Sequence, residues 1–265
     1  MLTSDQIRKV VGKDASQKII DGVVASMHKH AAEFGLDTPV REVPFMAQIA
    51  HESGHFRTTS EYASGAAYEG RKDLGNTRKG DGRRFKGRGL IQLTGRANYR
   101  TFTKWMAKRV PDCPGFEAVP EKVAYFPWAF WATVYYWSSR NLNRYSDSNN
   151  FETMTRRING GLNGYSDRLR YLDGFSLVYL GYPVGASGVR QFQEDNALEP
   201  DAISGPLTRA TMHKALKKIK SEQVPKPVSK PTAVEVPPPP PEPPKPQPNF
   251  WATLFGWLFR IGRKP

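Results

Sequence analysis

Two glutamates, Glu52 and Glu61, are the residues of this chain whose type and spacing best fit acid–base chemistry. Hydrolysis of a glycosidic bond with inversion needs a protonated carboxyl at the leaving oxygen and a carboxylate that activates water on the opposite face. Glu52 ends an apolar stretch, and desolvation there favours the protonated form that an acid needs. Glu61 follows in a polar loop, where we expect it to stay ionised. Purely structural roles, a helix cap or a surface residue, remain open for both.

The same segment carries the H-E-x-x-H pattern, from His51 to His55. Two histidines at i and i+4 of a helix share a face and can bind Zn²⁺, with the glutamate between them as general base. A third ligand is hard to place, because Glu69 and Asp73 follow too closely, across a stretch rich in glycine. Gly54 also weakens any helix that would hold both histidines. We therefore place a zinc protease last among the interpretations and predict neither a metal nor a cofactor.

A second motif is the run FKGRGLIQLTGRANY at 85–99. Together with HESGHF at 51–56, it resembles glycoside hydrolase family 19, which contains chitinases and many phage endolysins, over roughly residues 40–180. The resemblance implies a bilobal, lysozyme-like, mainly α fold and single-displacement hydrolysis. It also implies that Glu52 is the general acid and Glu61 the general base. Glu69 is the nearest alternative base, because the Asn-rich segment of many relatives is missing after Glu61.

The resemblance further implies a set of substrate contacts. Gln92 and Thr94 are similar to residues that orient the sugar and the nucleophilic water, and Arg168 is similar to an arginine that supports the acid. Because Gln92 and Thr94 alternate, an extended segment would point both to the same side. An amide and a hydroxyl can then hold a water and a sugar N-acetyl group together. The predicted substrate-binding residues are Tyr62, Gln92, Thr94, Asn98, Asn159 and Arg168.

Helices must position most of these residues. Thr3 or Ser4 is expected to cap a first helix, and Thr38 followed by Pro39 predicts the start of the helix that leads to Glu52. Apolar periodicity predicts further helices over 95–109, 120–139, 150–158 and 165–180. Residues 56–90, rich in Gly, Arg and Ser, predict long ordered loops. We expect one mainly α catalytic domain over residues 1–184.

Three further segments follow the expected catalytic domain. Residues 185–220 resemble the peptidoglycan-binding domain type 1, through GVRQFQ at 188–193 and DAISGPLT at 201–208, and either bind the wall or form a remnant packed on the catalytic domain. Residues 221–248 are rich in proline and predict an extended linker. Residues 249–265 predict a basic amphipathic helix. Within it, Phe250–Lys264 either contacts an anionic membrane or lipopolysaccharide or folds back onto the body.

The formal net charge of +14 points to a polyanionic partner. We expect no nucleic-acid binding, because no zinc-finger, basic-zipper or RNA-recognition signature is present. Cys113 is the only cysteine, so no intrachain disulfide can form. We see neither a signal peptide nor an apolar run long enough to span a membrane. The expectation is a monomer made in a host cytoplasm that reaches the cell wall by a holin-type route.

Three functional interpretations follow. The first is an endolysin of phage or prophage, a lysozyme-like muramidase or glucosaminidase that hydrolyses β-1,4 bonds in the glycan strands of peptidoglycan. The second is a chitinase, with the same chemistry on polymers of N-acetylglucosamine. The third, from another class, is a non-catalytic wall-binding protein. Both glutamates are present together with Gln92 and Thr94, and this argues against a protein that has lost activity.

Overall fold

A computed structural model describes residues 1–219, and this part of the chain is built almost entirely of helices. Within it the α-helices are α1 (Ser4–Val11), α2 (Gln17–His30), α3 (Pro39–Glu52), α4 (Asp81–Arg84), α5 (Arg96–Ala107), α6 (Trp128–Ser139), α7 (Asn143–Asp147), α8 (Phe151–Asn159), α9 (Tyr165–Tyr179), α10 (Ala186–Asp195) and α11 (Pro206–Lys218). Short 3-10 helices cover Ala32–Phe34, Ala66–Tyr68, Lys72–Leu74 and Pro120–Ala124. Isolated bridges pair Ser60 with Arg88 and Arg88 with Leu93, and residues 1–219 contain no longer strand. The predicted mainly α class is confirmed.

The predicted linker at 221–248 and the predicted amphipathic helix at 249–265 lie outside the described residues. Across residues 1–219, no helix combines the length and the apolar character that crossing a bilayer requires.

Both predicted helix starts are present. The Thr3 hydroxyl accepts a hydrogen bond from the backbone N–H of Gln6 at 3.2 Å, and the Gln6 side chain accepts one from the Thr3 N–H at 2.9 Å. This reciprocal capping box satisfies two N–H groups that a helix start otherwise leaves unpaired. α3 begins at Pro39, directly after Thr38, where a proline forfeits no intrahelical hydrogen bond.

α3 runs through the core of the molecule. All of its residues except Arg41 are buried, and its main partner along its length is α9. On another side, the Phe45 ring contacts the rings of Phe130 and Trp137 from the aromatic helix α6. A helix enclosed on every side cannot shift without disturbing several neighbours. Its last residue, Glu52, is therefore held in a fixed position.

The predicted helix over 120–139 is wrong in one respect, because the structure divides it. A 3-10 helix covers Pro120–Ala124, and α6 begins only at Trp128. Pro127 lies between them; it has no N–H to donate and restricts the residue before it, so a continuous helix is interrupted. The long loops predicted over 56–90 are present, with only the short helices noted above inside them.

The last two described helices, α10 and α11, pack on the same scaffold. Leu177 of α9 shares a buried cluster with Val189, Phe192 and Met212. Arg209 of α11 donates two hydrogen bonds of 2.8 Å to the two carboxylate oxygens of Asp173. The seam between α11 and the body leaves a cavity of only about 20 Å³. This segment therefore shares its apolar core with α9.

Candidate active site

A cleft of about 230 Å³ opens beside the C-terminal end of α3. It is lined by Glu52, Tyr68, Leu74, Ile91, Gln92, Leu93, Thr94, Asn98, Tyr135, Tyr136, Arg140, Ile158 and Asn159. The elements that contribute are α3, α5, α6, α8 and the loops between α3 and α5. Aromatic rings can stack on the apolar faces of sugars, and amides and hydroxyls can bind their polar groups. The lining therefore suits a glycan chain.

Glu52 is the final residue of α3 and is 5% exposed. Its Oε1 accepts a hydrogen bond of 2.5 Å from Nη2 of Arg168, and Nη1 of the same arginine donates to Oε1 of Gln48. Within residues 1–219, Oε2 of Glu52 makes no hydrogen bond. One oxygen is thus anchored from behind, and the other is free for a partner that enters the cleft.

Arg168 is fully buried, so its predicted role as a direct substrate contact is wrong. It lies on α9, next to α3, and its guanidinium faces the protein interior. A buried arginine of this kind holds a carboxyl group in place, and removing one member of such a pair leaves an uncompensated charge. The structure therefore agrees with support of Glu52 and not with contact to a sugar.

Glu61 is buried, at 7% exposure, although the sequence predicts a solvated polar loop. The loop folds back, because the Glu61 N–H donates to the Gly87 carbonyl at 2.9 Å. The carboxyl accepts hydrogen bonds from the Gly87 N–H at 3.0 Å and from the Tyr68 hydroxyl at 2.9 Å. Burial raises the pKa of Glu61 above its usual range, and these two donors, with the charges of Lys86 and Arg88, oppose that rise.

Tyr68, which the sequence analysis missed, is the side chain that connects Glu61 to the cleft. Its ring belongs to the lining, and its hydroxyl donates to Oε1 of Glu61. Burial, and the negative charge of Glu61, raise the pKa of Tyr68, so the hydroxyl keeps its proton. Tyr62, the predicted contact, is instead 41% exposed and lies outside the lining. No periodic pattern marks Tyr68, because only the folding of this loop brings it to Glu61.

Gln92 and Thr94 both line the cleft, but not because the segment is extended. Arg88 and Leu93 exchange two backbone hydrogen bonds, of 3.1 and 2.7 Å, which close a tight turn. Gln92 adopts a left-handed conformation in it, with φ of 49°. The Thr94 hydroxyl donates to the Gln92 carbonyl at 2.9 Å, so its oxygen can still accept a hydrogen bond. The turn, and not strand alternation, brings the two side chains to one place.

The amide of Gln92 lies close to the carboxyl of Glu61. A Cβ added at Gly87 would come within 2.4 Å of Oε1 of Gln92 and 3.2 Å of Oε2 of Glu61, so both oxygens lie on the same side of Gly87. Oε1 of Gln92 is buried and accepts no hydrogen bond within residues 1–219. A buried acceptor without a donor is costly, so this oxygen is prepared to bind a donor from a ligand.

The two predicted asparagines also line the cleft, but they differ in how many of their side-chain polar atoms are already hydrogen-bonded. Asn98 donates from Nδ2 to the Thr94 carbonyl at 2.7 Å, which leaves its Oδ1 available. Asn159 is engaged at both ends: Nδ2 donates to the Asn163 carbonyl at 2.9 Å, and Oδ1 accepts from the Gly161 N–H at 2.8 Å. Asn159 thus shapes the turn at the rim of the cleft.

Glu69, the alternative base, has a different task. Its two carboxylate oxygens accept hydrogen bonds from the backbone N–H groups of Gly80 and Gly82, at 2.6 and 2.8 Å. It is exposed and lies outside the cleft lining. Gly80 caps α4 and Gly82 lies in its first turn, so Glu69 fixes the N-terminal end of α4.

The zinc site suggested by the H-E-x-x-H pattern does not form. α3 ends at Glu52, and His55 lies beyond it with φ of 67°, so the two histidines do not share a helical face. His51 Nδ1 lies 2.7 Å from Oδ2 of Asp167. Burial raises the pKa of Asp167, but its hydrogen bonds with His51 and Arg170 outweigh this effect and lower the pKa to about 2. Nowhere in the described part of the chain do three metal-binding side chains come together.

Comparison with known proteins adds a second line of evidence. No protein-family model matches the chain. A Haemophilus influenzae protein described as a glycosyl hydrolase family 19 domain-containing protein is 30% identical over 184 residues, which cover 57% of this chain and 86% of that protein. Two solved structures share the fold: chitinase C from Streptomyces griseus, with a TM-score of 0.52, and a point mutant of chitinase C, with a TM-score of 0.53. Each is 20% identical and covers 69% of this chain and 78% of its own.

Proposed function

The chain belongs to glycosyl hydrolase family 19, and from this premise we propose that it hydrolyses β-1,4-glycosidic bonds in the glycan strands of peptidoglycan. It acts as an endolysin of the muramidase or glucosaminidase type, with inversion at the anomeric carbon. The observation that carries this proposal is the presence of two buried carboxyl groups at one sugar-sized cleft, Glu52 in the lining and Glu61 behind Tyr68.

We assign Glu52 the role of general acid. An acid must reach the leaving oxygen, and Glu52 is the carboxyl residue among the described residues that line the cleft. Its Oε1 is anchored by Arg168, so Oε2 is the oxygen that transfers the proton. The fixed end of α3 supports this role, because a proton donor is effective only when its distance to the leaving oxygen is maintained.

We assign Glu61 the role of general base. Both of its oxygens accept hydrogen bonds, which is the pattern of an ionised carboxylate. Burial raises the pKa of Glu61, and a base whose pKa lies closer to the working pH removes a proton more effectively. The unpaired Oε1 of Gln92 beside it can accept a hydrogen bond from the attacking water or from a sugar N-acetyl N–H.

A chitinase is the second candidate, because the solved structures that share this fold are chitinases. The chemistry would be unchanged, and only the polymer would differ. Incubation with purified sacculi and with a neutral N-acetylglucosamine hexamer separates the two proposals. Preferred cleavage of the hexamer would favour the chitinase, and no cleavage of either would favour the non-catalytic wall-binding protein.

The experiment that tests the mechanism compares Glu52→Gln and Glu61→Gln with the exposed control Glu121→Gln. We expect each active-site variant to lose at least about 100-fold in the release of reducing ends from sacculi, because general acid–base catalysis contributes about that much or more. The control should keep full activity, and circular dichroism should be the same for all three. Mass spectrometry of the products identifies the bond, and proton NMR of the first product identifies the anomer. More than a few per cent of activity in either variant contradicts its assigned role.

We further propose the cellular setting expected from the sequence. A monomer made in the cytoplasm of the host reaches the wall by a holin-type route, and Phe250–Lys264 contacts an anionic membrane or lipopolysaccharide. Removal of 249–265 should weaken co-sedimentation with anionic liposomes and leave the hydrolysis of isolated walls unchanged. Equal liposome binding by both forms would refute the membrane contact.

A further inference from the structure

The loop that follows the Tyr68 helix, together with α4, carries a set of exposed cations that the proposed mechanism does not use. We call this set the cationic face: Lys72, Arg78, Lys79 and Arg83. None of them forms an ion pair with any residue in the described part of the chain. Three of them border an open depression of about 720 Å³, and Lys72 lies on the 3-10 helix just before it.

The carboxylates of this surface are already engaged elsewhere. Asp73 pairs with Arg71, and Asp81 pairs with Arg96. Glu69 binds the backbone N–H groups of Gly80 and Gly82, as described above. Glu117 accepts hydrogen bonds from Arg96 at 3.0 Å and from Arg100 at 2.8 Å, which lowers the pKa of Glu117 to about 2. Hydrogen bonds to backbone N–H groups leave the charge of Glu69 in place, and four cations beside this one carboxylate leave a net positive charge on the cationic face.

The loop that bears these cations is held firmly. The Asn76 side chain is fully buried; it donates to the Tyr68 carbonyl at 2.9 Å and accepts from the Arg96 N–H at 2.9 Å. The guanidinium of Arg96 stacks on the Phe85 ring, 4.5 Å from its centroid, and pairs with Asp81. Charges on a braced loop need little reorganisation before they bind an anion.

The cationic face also adjoins the cleft. Lys72 and Leu74 belong to the same 3-10 helix, and Leu74 lines the cleft. On the other side, Arg96 borders the depression and Asn98, two residues later on α5, lines the cleft. A polymer that lies along the cleft therefore passes beside a surface of uncompensated positive charge.

We propose that the cationic face binds carboxylates that project from an acidic glycan strand while the sugar backbone of the same strand occupies the cleft. The surface thus selects a glycan with acidic peptide substituents over a neutral polymer of N-acetylglucosamine. This inference rests on the proposed glycosidase function and specifies its substrate class. An array of like charge beside a cleft raises the local concentration of an oppositely charged substrate and accelerates its capture.

The test changes the charge on both partners. The face variant carries Lys72→Gln, Arg78→Gln, Lys79→Gln and Arg83→Gln. The matched control carries Lys9→Gln, Lys13→Gln, Lys18→Gln and Lys29→Gln, which removes the same charge from exposed positions on α1, α2 and the loop between them. The substrates are sacculi freed of attached phosphate polymers, used either native or with their carboxylates converted to neutral amides.

We expect the face variant to lose roughly tenfold in kcat/KM on native sacculi at low salt, and the control to lose little. The loss should shrink at about 0.5 M salt, because exposed charges are then screened. On amidated sacculi, the face variant and the native sequence should have equal kcat/KM. An equal loss on native and amidated sacculi, or an equal loss in face variant and control, overturns the proposal.

A binding measurement separates this inference from the proposed function. Both variants are also made with Glu52→Gln, and their co-sedimentation with native and amidated sacculi is measured without turnover. If the face variant binds native sacculi more weakly than the control does, and amidated sacculi equally well, the role of the cationic face is supported. This holds even if no form of the protein hydrolyses sacculi, and in that case only the proposed function fails. If the face variant and the control bind native sacculi equally well, the proposed role of the cationic face is overturned, whatever the hydrolysis assay shows.

Discussion

Replacing Tyr68 by Phe tests the assignment of Glu61 as the base. The substitution removes the hydroxyl that donates to Oε1 of Glu61 at 2.9 Å and leaves the ring in the cleft lining. This hydrogen bond stabilises the ionised carboxylate, and it is one of the influences that oppose the effect of burial on the pKa of Glu61. Without it, the pKa of Glu61 must rise further.

The size of the effect follows from the cost of a lost hydrogen bond. A hydrogen bond to a charged group contributes about 1.5–3 kcal/mol, and about 1.4 kcal/mol corresponds to one pH unit. A base must be deprotonated to act, so the acidic limb of the kcat/KM profile marks its titration. We therefore expect this limb to move upward by about one to two pH units in the Tyr68→Phe variant.

The assay is kcat/KM for the release of reducing ends from sacculi, measured from acid to alkaline pH. Tyr62→Phe is the matched control, because Tyr62 lies on the same loop but is exposed and outside the lining. Its profile should coincide with that of the native sequence. If Tyr68→Phe moves the alkaline limb instead, Glu61 is the acid and the two roles are exchanged. If neither limb moves, Glu61 does not titrate in the reaction and the reasoning fails.

Three further outcomes are expected from the contacts described. Arg168→Ala should lower the free energy of unfolding by about 2–6 kcal/mol in urea titrations, because it leaves two buried acceptors, on Glu52 and Gln48, without their donor, at about 1–3 kcal/mol each. A loss no greater than that of the exposed control Arg170→Ala would contradict this. Glu61→Gln should unfold at a higher temperature than the native sequence at pH 8, and the difference should vanish below about pH 4. The reason is that burial raises the pKa of Glu61 in the folded state. A group with a raised folded-state pKa contributes stability below its unfolded-state pKa and loses that contribution as the pH rises through its folded-state pKa. Equal melting temperatures at pH 8 would count against a desolvated carboxylate. Met212→Ala should lower the free energy of unfolding by about 2–5 kcal/mol. The near-ultraviolet and far-ultraviolet circular dichroism signals should still change in one common transition. Two separate transitions would mean that α11 does not share the core of α9.

Local signals allowed much of the scaffold to be predicted. The capping box at Thr3 and the Thr38–Pro39 start depend on residues within one turn of a helix, so they can be read directly from neighbouring letters. The position of Glu52 at the end of an apolar helix was visible for the same reason. Motif resemblance identified Gln92 and Thr94, and both line the cleft.

Tertiary structure decided the rest. Arg168 and Glu52 are 116 positions apart along the chain, and Gly87 and Glu61 are 26 apart, so no local period links them. Whether Glu61 is solvated or buried, and whether Tyr62 or Tyr68 faces the cleft, depends on where a glycine-rich loop folds back. Residue types and helical periods are properties of neighbouring letters, whereas the burial and hydrogen-bond partners that tune a carboxyl group come from distant segments packed together.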